Sequence, residues 1–198
     1  MRIAYSPALI IVMLFLTSCT DTARHPVANE KENARVFVQQ FYDWYKKLYN
    51  EGVTATDNVG TDVYMIKHKP QYLDDSLLKA FIEYYKAEPK EADEVVGLDF
   101  DPILDSQDIG WDYQTGKVKQ VGDKFFIDIH CDTHGKPKDT ILALPPIIVA
   151  EVVKKSGQWK LVNLSYPPPE GKGEDLLKML EGYRKEAEEY VASHKTKK

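Results

Sequence analysis

The chain has 198 residues, with 26 basic and 31 acidic side chains and a formal net charge of −5. This acidic balance argues against a nucleic-acid partner, because nucleic-acid binding requires a basic surface. The length is enough for one hydrophobic core and is short for two ordinary domains.

The N-terminal segment has the pattern of a bacterial secretory signal. Arg2 supplies positive charge, residues 8–16 form an apolar run, and small residues follow that run. The run is about half of the ~20 residues that a membrane-spanning helix needs. We therefore expect a signal that is removed, and not a permanent transmembrane helix.

A cysteine follows the small residues and makes the pattern more specific. Leu16, Thr17, Ser18 and Cys19 match a lipobox, in which an aliphatic residue and two small residues precede the acylated cysteine. The sequence therefore predicts a lipoprotein whose signal peptide is residues 1–18. The alternative is an ordinary signal peptide with an incidental cysteine.

Acylation at Cys19 predicts where the protein resides. Two or three acyl chains, palmitate among them, give stable attachment, whereas one chain holds a protein only marginally. We expect a lipid-anchored protein of the bacterial envelope that faces the periplasm. Thr20 is not the Asp that favours inner-membrane retention, so the outer membrane is favoured over the inner. Cys131 is then the only remaining thiol, which excludes an intramolecular disulfide.

The first half of the chain after the signal predicts a tether and then helices. Residues 19–28 are polar and predict a flexible tether to the membrane. Apolar residues at helical spacing predict a first helix from about Glu30 to Glu51. A short extended segment is expected at Val63–Ile66. A second helix begins after Asp74 or Asp75, either of which can cap it.

The second half changes to the alternating pattern of strands. Two hairpins are predicted, with turns at Gly122-Asp123 and Ser156-Gly157 and with strands at Lys117–Val121, Phe125–Thr133, Ile147–Lys155 and Trp159–Tyr166. Helices followed by antiparallel strands predict an α+β domain over residues 29–166. In this domain, N-terminal helices pack on a curved, cone-like antiparallel sheet.

Residues 167–198 form the last predicted unit, a proline spacer followed by a C-terminal amphipathic helix from Glu174 to about His194. This helix can pack back on its own domain, which we favour. The alternative is that it docks in a groove of another protein.

Three segments of the domain resemble a bacterial family. They are Phe-Tyr-Asp-Trp-Tyr at 41–45, Asp-Ser-Leu-Leu at 75–78 and the run from Asp99 to Asp108. The family is catalogued as a domain of unknown function among secreted proteins and lipoproteins of Gram-negative bacteria. Its fold is similar to the nuclear transport factor 2 cone. The resemblance covers roughly residues 30–166 and implies no catalytic residues.

The acidic connection between helices and strands offers a candidate metal site. Asp99, Asp101, Asp105 and Asp108 supply the hard oxygen ligands that calcium prefers. Their spacing is not that of an EF-hand, because Pro102 interrupts it. We favour the alternative that these aspartates cap and form turns.

A second candidate lies on a predicted strand. His130, Asp132 and His134 alternate, so the three side chains share one face and could approach one zinc ion. The strand already ends near His134, and we favour a solvated face of the hairpin. We therefore expect no metal or cofactor.

The sequence contains no nucleophile–base pattern, glycine-rich phosphate loop or HExxH motif. We therefore expect no enzyme but a protein- or ligand-binding module of the cell envelope. Its partners are the lipid bilayer through acylated Cys19 and a possible envelope protein. The alternative is a small-molecule enzyme or carrier that uses a carboxylate, such as Asp128, and a tyrosine in the cone cavity.

Replacing Cys19 with Ala tests the predicted anchor. The Cys19→Ala protein has no thiol for the diacylglycerol, so we expect it to leave the membrane fraction and to incorporate no labelled palmitate. Cys131→Ala is the matched control and should fractionate as the unaltered protein does. Palmitate incorporation that survives Cys19→Ala would contradict the lipobox.

Overall fold

The computed structural model describes residues 27–51, 60–89, 97–107, 112–132, 135, 137–167 and 173–195. The predicted signal peptide, lipobox, Cys19 and nearly all of the tether lie outside the described residues. None of the helices in the described ranges is long and apolar enough to cross a membrane.

The described chain folds as helices on an antiparallel sheet, which confirms the α+β prediction. The helices are α1 (Val27–Asn50), α2 (Thr61–His68), α3 (Asp75–Ala87), α4 (Lys138–Ile141) and α5 (Leu176–Lys195). The strands are β1 (Asp112–Val121), β2 (Lys124–Asp132), β3 (Ile148–Lys155) and β4 (Gln158–Ser165), in the spatial order β1-β2-β3-β4. Both hairpin turns form where the sequence predicts them.

Irregularities in the strand register help to bend the sheet. The pairing of β1 with β2 shifts between Thr115 and Val118, and the pairing of β3 with β4 shifts at Glu151. Such bulges increase local twist and curvature. One face of the bent sheet carries the buried side chains, among them Phe125, Ile127 and Ile129, and it packs against the helices.

The prediction of an extended segment at Val63–Ile66 is wrong, because these residues belong to α2. The β-branched and aromatic residues there favour a strand locally. The helix instead places Thr61, Asp62 and Met65 on one buried face, at the spacing of one helical turn. Tertiary burial therefore overrides local propensity.

Each edge strand of the sheet is hydrogen-bonded at one point to another part of the chain. The side-chain amide of Gln39 on α1 donates to the Tyr113 carbonyl at 3.0 Å and accepts from the Thr115 N–H at 2.8 Å. At the opposite edge, the Asp74 N–H donates to the Leu161 carbonyl at 2.8 Å. These bonds satisfy edge groups that would otherwise be open to pairing with another chain.

The C-terminal helix is part of the same core. Leu176, Leu180 and Ala187 of α5 are buried, and the helix packs on α3 and β4. Asp175, next to the start of α5, pairs with Ser165 at the end of β4. This helix therefore packs back on its own domain and does not project away from it.

A short turn at residues 101–106 is buried between α1 and the sheet, and we call it the buried turn. Its ends pair with each other, since the Asp101 N–H donates to the Ser106 carbonyl at 3.0 Å. Ile103 and Leu104 are fully buried, and Asp105 has a positive φ of 50°. The space inside the bent sheet is thus filled by chain.

Three tyrosine hydroxyls satisfy successive carbonyls of the buried turn. The hydroxyls of Tyr166, Tyr42 and Tyr113 donate at 2.6, 2.9 and 2.9 Å to the carbonyls of Pro102, Ile103 and Leu104. Burial raises the pKa of all three phenols, so they remain protonated donors. A buried turn without such donors would leave costly unpaired carbonyls.

Candidate functional site

An open cleft of about 630 Å³ lies between α2, α3 and the segment 97–107. We call it the acidic cleft, and its walls include Asp62, Tyr84, Tyr85, Glu88 and Asp101. Its volume lies within the range of small-molecule sites. Two carboxyl groups with a raised pKa lie at its base, the buried Asp62 and the partly buried Asp101, which makes it the leading candidate for a functional site.

Asp62 stands in the first turn of α2 and is 8% exposed. Its Oδ1 accepts from the Val63 N–H at 2.8 Å, and the Tyr85 hydroxyl donates to its Oδ2. Gly60 makes room for this carboxylate, because a Cβ at Gly60 would lie 2.6 Å from Oδ1. Desolvation, and then the nearby charge of Asp101, raise the pKa of Asp62 to about 7.

Asp101 begins the buried turn and faces the same cleft. Its Oδ2 accepts from the Tyr45 hydroxyl at 2.7 Å, and its Oδ1 accepts from the N–H groups of Ile103 and Leu104 at 2.9 and 3.2 Å. These bonds favour the ionised form, but desolvation outweighs them and raises the pKa of Asp101 to about 6. Each of the two carboxyl groups therefore changes between its protonated and ionised forms near neutral pH.

Other groups make the cleft acidic and aromatic. Burial raises the pKa of Glu88, and the exposed Asp99 accepts from the Gln107 side-chain amide at 3.3 Å. The Tyr84 hydroxyl accepts from the Leu98 N–H at 2.9 Å, which ties the segment at 97–107 to α3. No basic side chain lines the cleft in the ranges that the structure describes. Such a site suits a cationic or proton-donating ligand.

The predicted calcium ligands have separate roles where the structure describes them. Asp101 uses both carboxylate oxygens for bonds to Tyr45 and to the turn, Asp105 adopts a left-handed turn conformation, and Asp99 is exposed. Asp108 lies outside the described residues. Capping and turn formation therefore account for the contacts that Asp101 makes.

The predicted zinc ligands are not on a solvated face, so that expectation is wrong. His130 and Asp132 are each 5% exposed. The Leu144 carbonyl lies 2.8 Å from His130 Nδ1. His134 lies outside the described residues. Within the described ranges, no group of three or more His, Cys, Asp or Glu side chains could hold a metal ion.

No pattern in the sequence marks Asp62 or the cleft itself. The three walls come from segments separated along the chain, and α2 was expected to be extended. In the sequence, Tyr45, Tyr84 and Tyr85 are indicated only as members of an aromatic-rich core. The one local signal was Asp101 beside Pro102, which correctly indicates a capped turn.

No protein-family model matches the chain, and neither a curated protein nor a solved structure matches it. The resemblance to the bacterial family of unknown function, with its transport-factor cone, therefore stays a prediction. Function must be argued from the geometry of the site.

The raised pKa of Asp62 has a consequence for stability. The folded protein holds this proton up to about pH 7, whereas the unfolded chain loses it near pH 4. The free energy of unfolding should therefore fall as the pH rises through this window. In Asp62→Asn that fall should be shallower, with a gain of about 1–3 kcal/mol at pH 8 and little change at pH 4.

Urea denaturation at a series of pH values measures this difference. Asp43→Asn, at an exposed position of α1, is the matched control and should follow the pH profile of the unaltered protein. Parallel profiles for the Asp62→Asn and unaltered proteins would contradict the burial of an ionisable Asp62.

Proposed function

We propose that this chain is a lipid-anchored envelope protein whose domain is a non-catalytic binding module, and that the acidic cleft receives a cationic group. The observation that carries the proposal is the pair of poorly solvated carboxyls at the base of an open cleft, the buried Asp62 and the partly buried Asp101. The predicted anchor at Cys19 supplies the location. It holds the cleft at a membrane surface of the envelope.

The charge balance of the site supports a cation as the occupant. Asp62, Asp101, Glu88 and Asp99 line the cleft, and desolvation makes their ionised forms costly. A bound ammonium or guanidinium group would offset that cost and lower the pKa of Asp62 and Asp101. The aromatic rings of Tyr84 and Tyr85 suit a cation with an apolar stem.

The occupant that best fits these features is a lysine or arginine side chain of an envelope protein. Such a side chain pairs a charged head with a hydrocarbon stem, and the cleft pairs carboxyls with tyrosine rings. Binding would displace the protons of Asp62 and Asp101. Affinity should therefore rise as the pH rises from 5 to 8.

One observation favours the alternative of a small-molecule enzyme. Asp62, with a pKa of about 7 and a tyrosine hydroxyl as partner, has the properties of a general acid or base at neutral pH. In that case, Asp62→Asn would abolish turnover of a substrate. The non-catalytic proposal predicts that Asp62→Asn changes binding alone.

Binding of model peptides tests the proposal directly. Acetyl-lysine-amide with a free side-chain ammonium and acetyl-arginine-amide should shift the NMR resonances around the cleft, and the isosteric acetyl-norleucine-amide should not. We expect binding to weaken about tenfold in Asp62→Asn, since an ion pair with a charged group is lost. Calorimetry in two buffers of different ionisation enthalpy should detect proton release near pH 6.5.

The control variant is Asp112→Asn, which removes an exposed carboxylate that pairs with Lys46 outside the cleft. It should bind the lysine and arginine probes as the unaltered protein does. Equal binding of the norleucine probe, or cation binding that Asp62→Asn leaves intact, would contradict the proposal.

A further inference from the structure

A second concavity, of about 610 Å³, lies where β1 and β2 meet the first half of α1 and the segment at 137–147. It shares no lining residue with the acidic cleft. We call it the cationic pocket, and its polar walls include Arg35, Lys117, Asp128, His130 and Lys138. This charge contrasts with the net charge of −5 for the whole chain.

His130 is the buried polar group of the pocket. It is 5% exposed, and its Nδ1 lies 2.8 Å from the Leu144 carbonyl oxygen. Because a carbonyl only accepts, Nδ1 must carry a hydrogen. Nε2 is then the atom left for the pocket, and it has no hydrogen-bond partner among the residues that the structure describes.

Gly116 leaves room for this nitrogen. A Cβ at Gly116 would lie 2.5 Å from His130 Nε2, which is closer than any two such atoms can approach. Gly116 stands where the register of β1 shifts between Thr115 and Val118. The bulge and the missing side chain together expose a buried imidazole to a cavity. A strand with regular packing would cover it.

The cations around the pocket include one that is held in position. Arg35 donates through Nε and Nη2 to Glu32 at 2.9 and 2.5 Å and through Nη1 to Thr115 Oγ1 at 3.1 Å. Lys117 and Lys138 line the pocket from β1 and α4. Glu32 offsets the charge of Arg35, so Lys117 and Lys138 supply the net positive charge that faces the Asp128 carboxylate.

We propose that the cationic pocket binds a phosphate group that retains an O–H. The two lysines supply the positive charge that attracts the anion, and Arg35, which Glu32 and Thr115 hold in position, borders the same pocket. An ionised Asp128 only accepts hydrogen bonds, so it needs a donor from the ligand. Inorganic phosphate carries such a donor at neutral pH, and a phosphate monoester carries it in its monoanionic form. Sulfate has the same shape but carries no proton there.

This chemistry has two sources, free phosphate and the monoester headgroup of a lipid. Arg35 stands in the third turn of α1, the helix that follows the predicted tether. The pocket therefore lies toward the end of the domain that the tether joins to the membrane. The proposal stands on the pocket alone and does not depend on the function of the acidic cleft.

Titration of the full-length protein in detergent with inorganic phosphate tests the site. We expect phosphate to shift the imidazole resonances of His130 and to bind at least tenfold more tightly than sulfate. In Asp128→Asn the side-chain amide can turn an N–H donor toward either anion, so the preference for phosphate over sulfate should fall to near one. Equal binding of the two anions by the unaltered protein, or no binding of either, would overturn the proposal.

Two further variants separate the pocket from general surface charge. Lys117→Ala should weaken phosphate binding about fivefold to tenfold, and Lys119→Ala, which removes an exposed lysine of the same strand outside the pocket, should not. Gly116→Ala should displace the imidazole and abolish binding while the circular dichroism spectrum is retained. If it does not fold, the lysine pair still decides, and equal effects of the two lysines would refute the site.

Vesicles distinguish the two sources of phosphate. Full-length protein should bind vesicles that contain phosphatidic acid, a monoester, more tightly than vesicles with equal charge from phosphatidylglycerol, a diester. Such a preference, lost in Asp128→Asn, identifies a lipid headgroup. Equal binding to both vesicles, together with selective binding of inorganic phosphate, identifies free phosphate as the ligand. Equal binding to both vesicles without that selectivity would count against the proposal.

Discussion

The buried turn at residues 101–106 is the constraint on which the rest of the described structure depends. A turn has backbone carbonyls and N–H groups that cannot be left unpaired away from water. Here tyrosines from α1, from β1 and from the position directly after β4 donate to three successive carbonyls, and the Asp101 carboxylate accepts from two N–H groups. The sheet, the first helix and the connection between the two halves of the chain are therefore joined at one point.

The same constraint produces the candidate site. Asp101 must be buried to cap the turn, and its burial places a carboxylate at the base of the acidic cleft. Asp62 approaches from α2, so two carboxyls share a poorly solvated region and both have a raised pKa. Asp101 therefore both caps the buried turn and contributes a carboxyl group with a raised pKa to the acidic cleft. The cationic pocket is different, because its polar atoms are held by a bulge in β1 and by the chain that follows β2.

The sequence predicted the secondary-structure elements that neighbouring residues in the chain determine. The hairpins carry turn residues and alternating patterns, and Asp74 caps α3 through bonds to Ser76. It did not predict α2, because the buried face of that helix is defined by contacts far along the chain. His130 was expected in solvent, since the later chain that contacts it is not visible in the pattern of the strand. Asp62 was missed for the same reason. Its chemistry depends on Asp101 and Tyr85, which approach it only in the folded protein.

The most direct test of this account is the free energy of unfolding of Tyr166→Phe, measured by urea denaturation. The change removes one hydroxyl, leaves the Pro102 carbonyl buried without its donor, and should cost about 1–3 kcal/mol. Tyr64→Phe is the matched control, because its hydroxyl makes no hydrogen bond within the described ranges, and it should stay within about 0.5 kcal/mol of the unaltered protein. If both variants unfold at the same urea concentration as the unaltered protein, the buried turn does not hold the fold together.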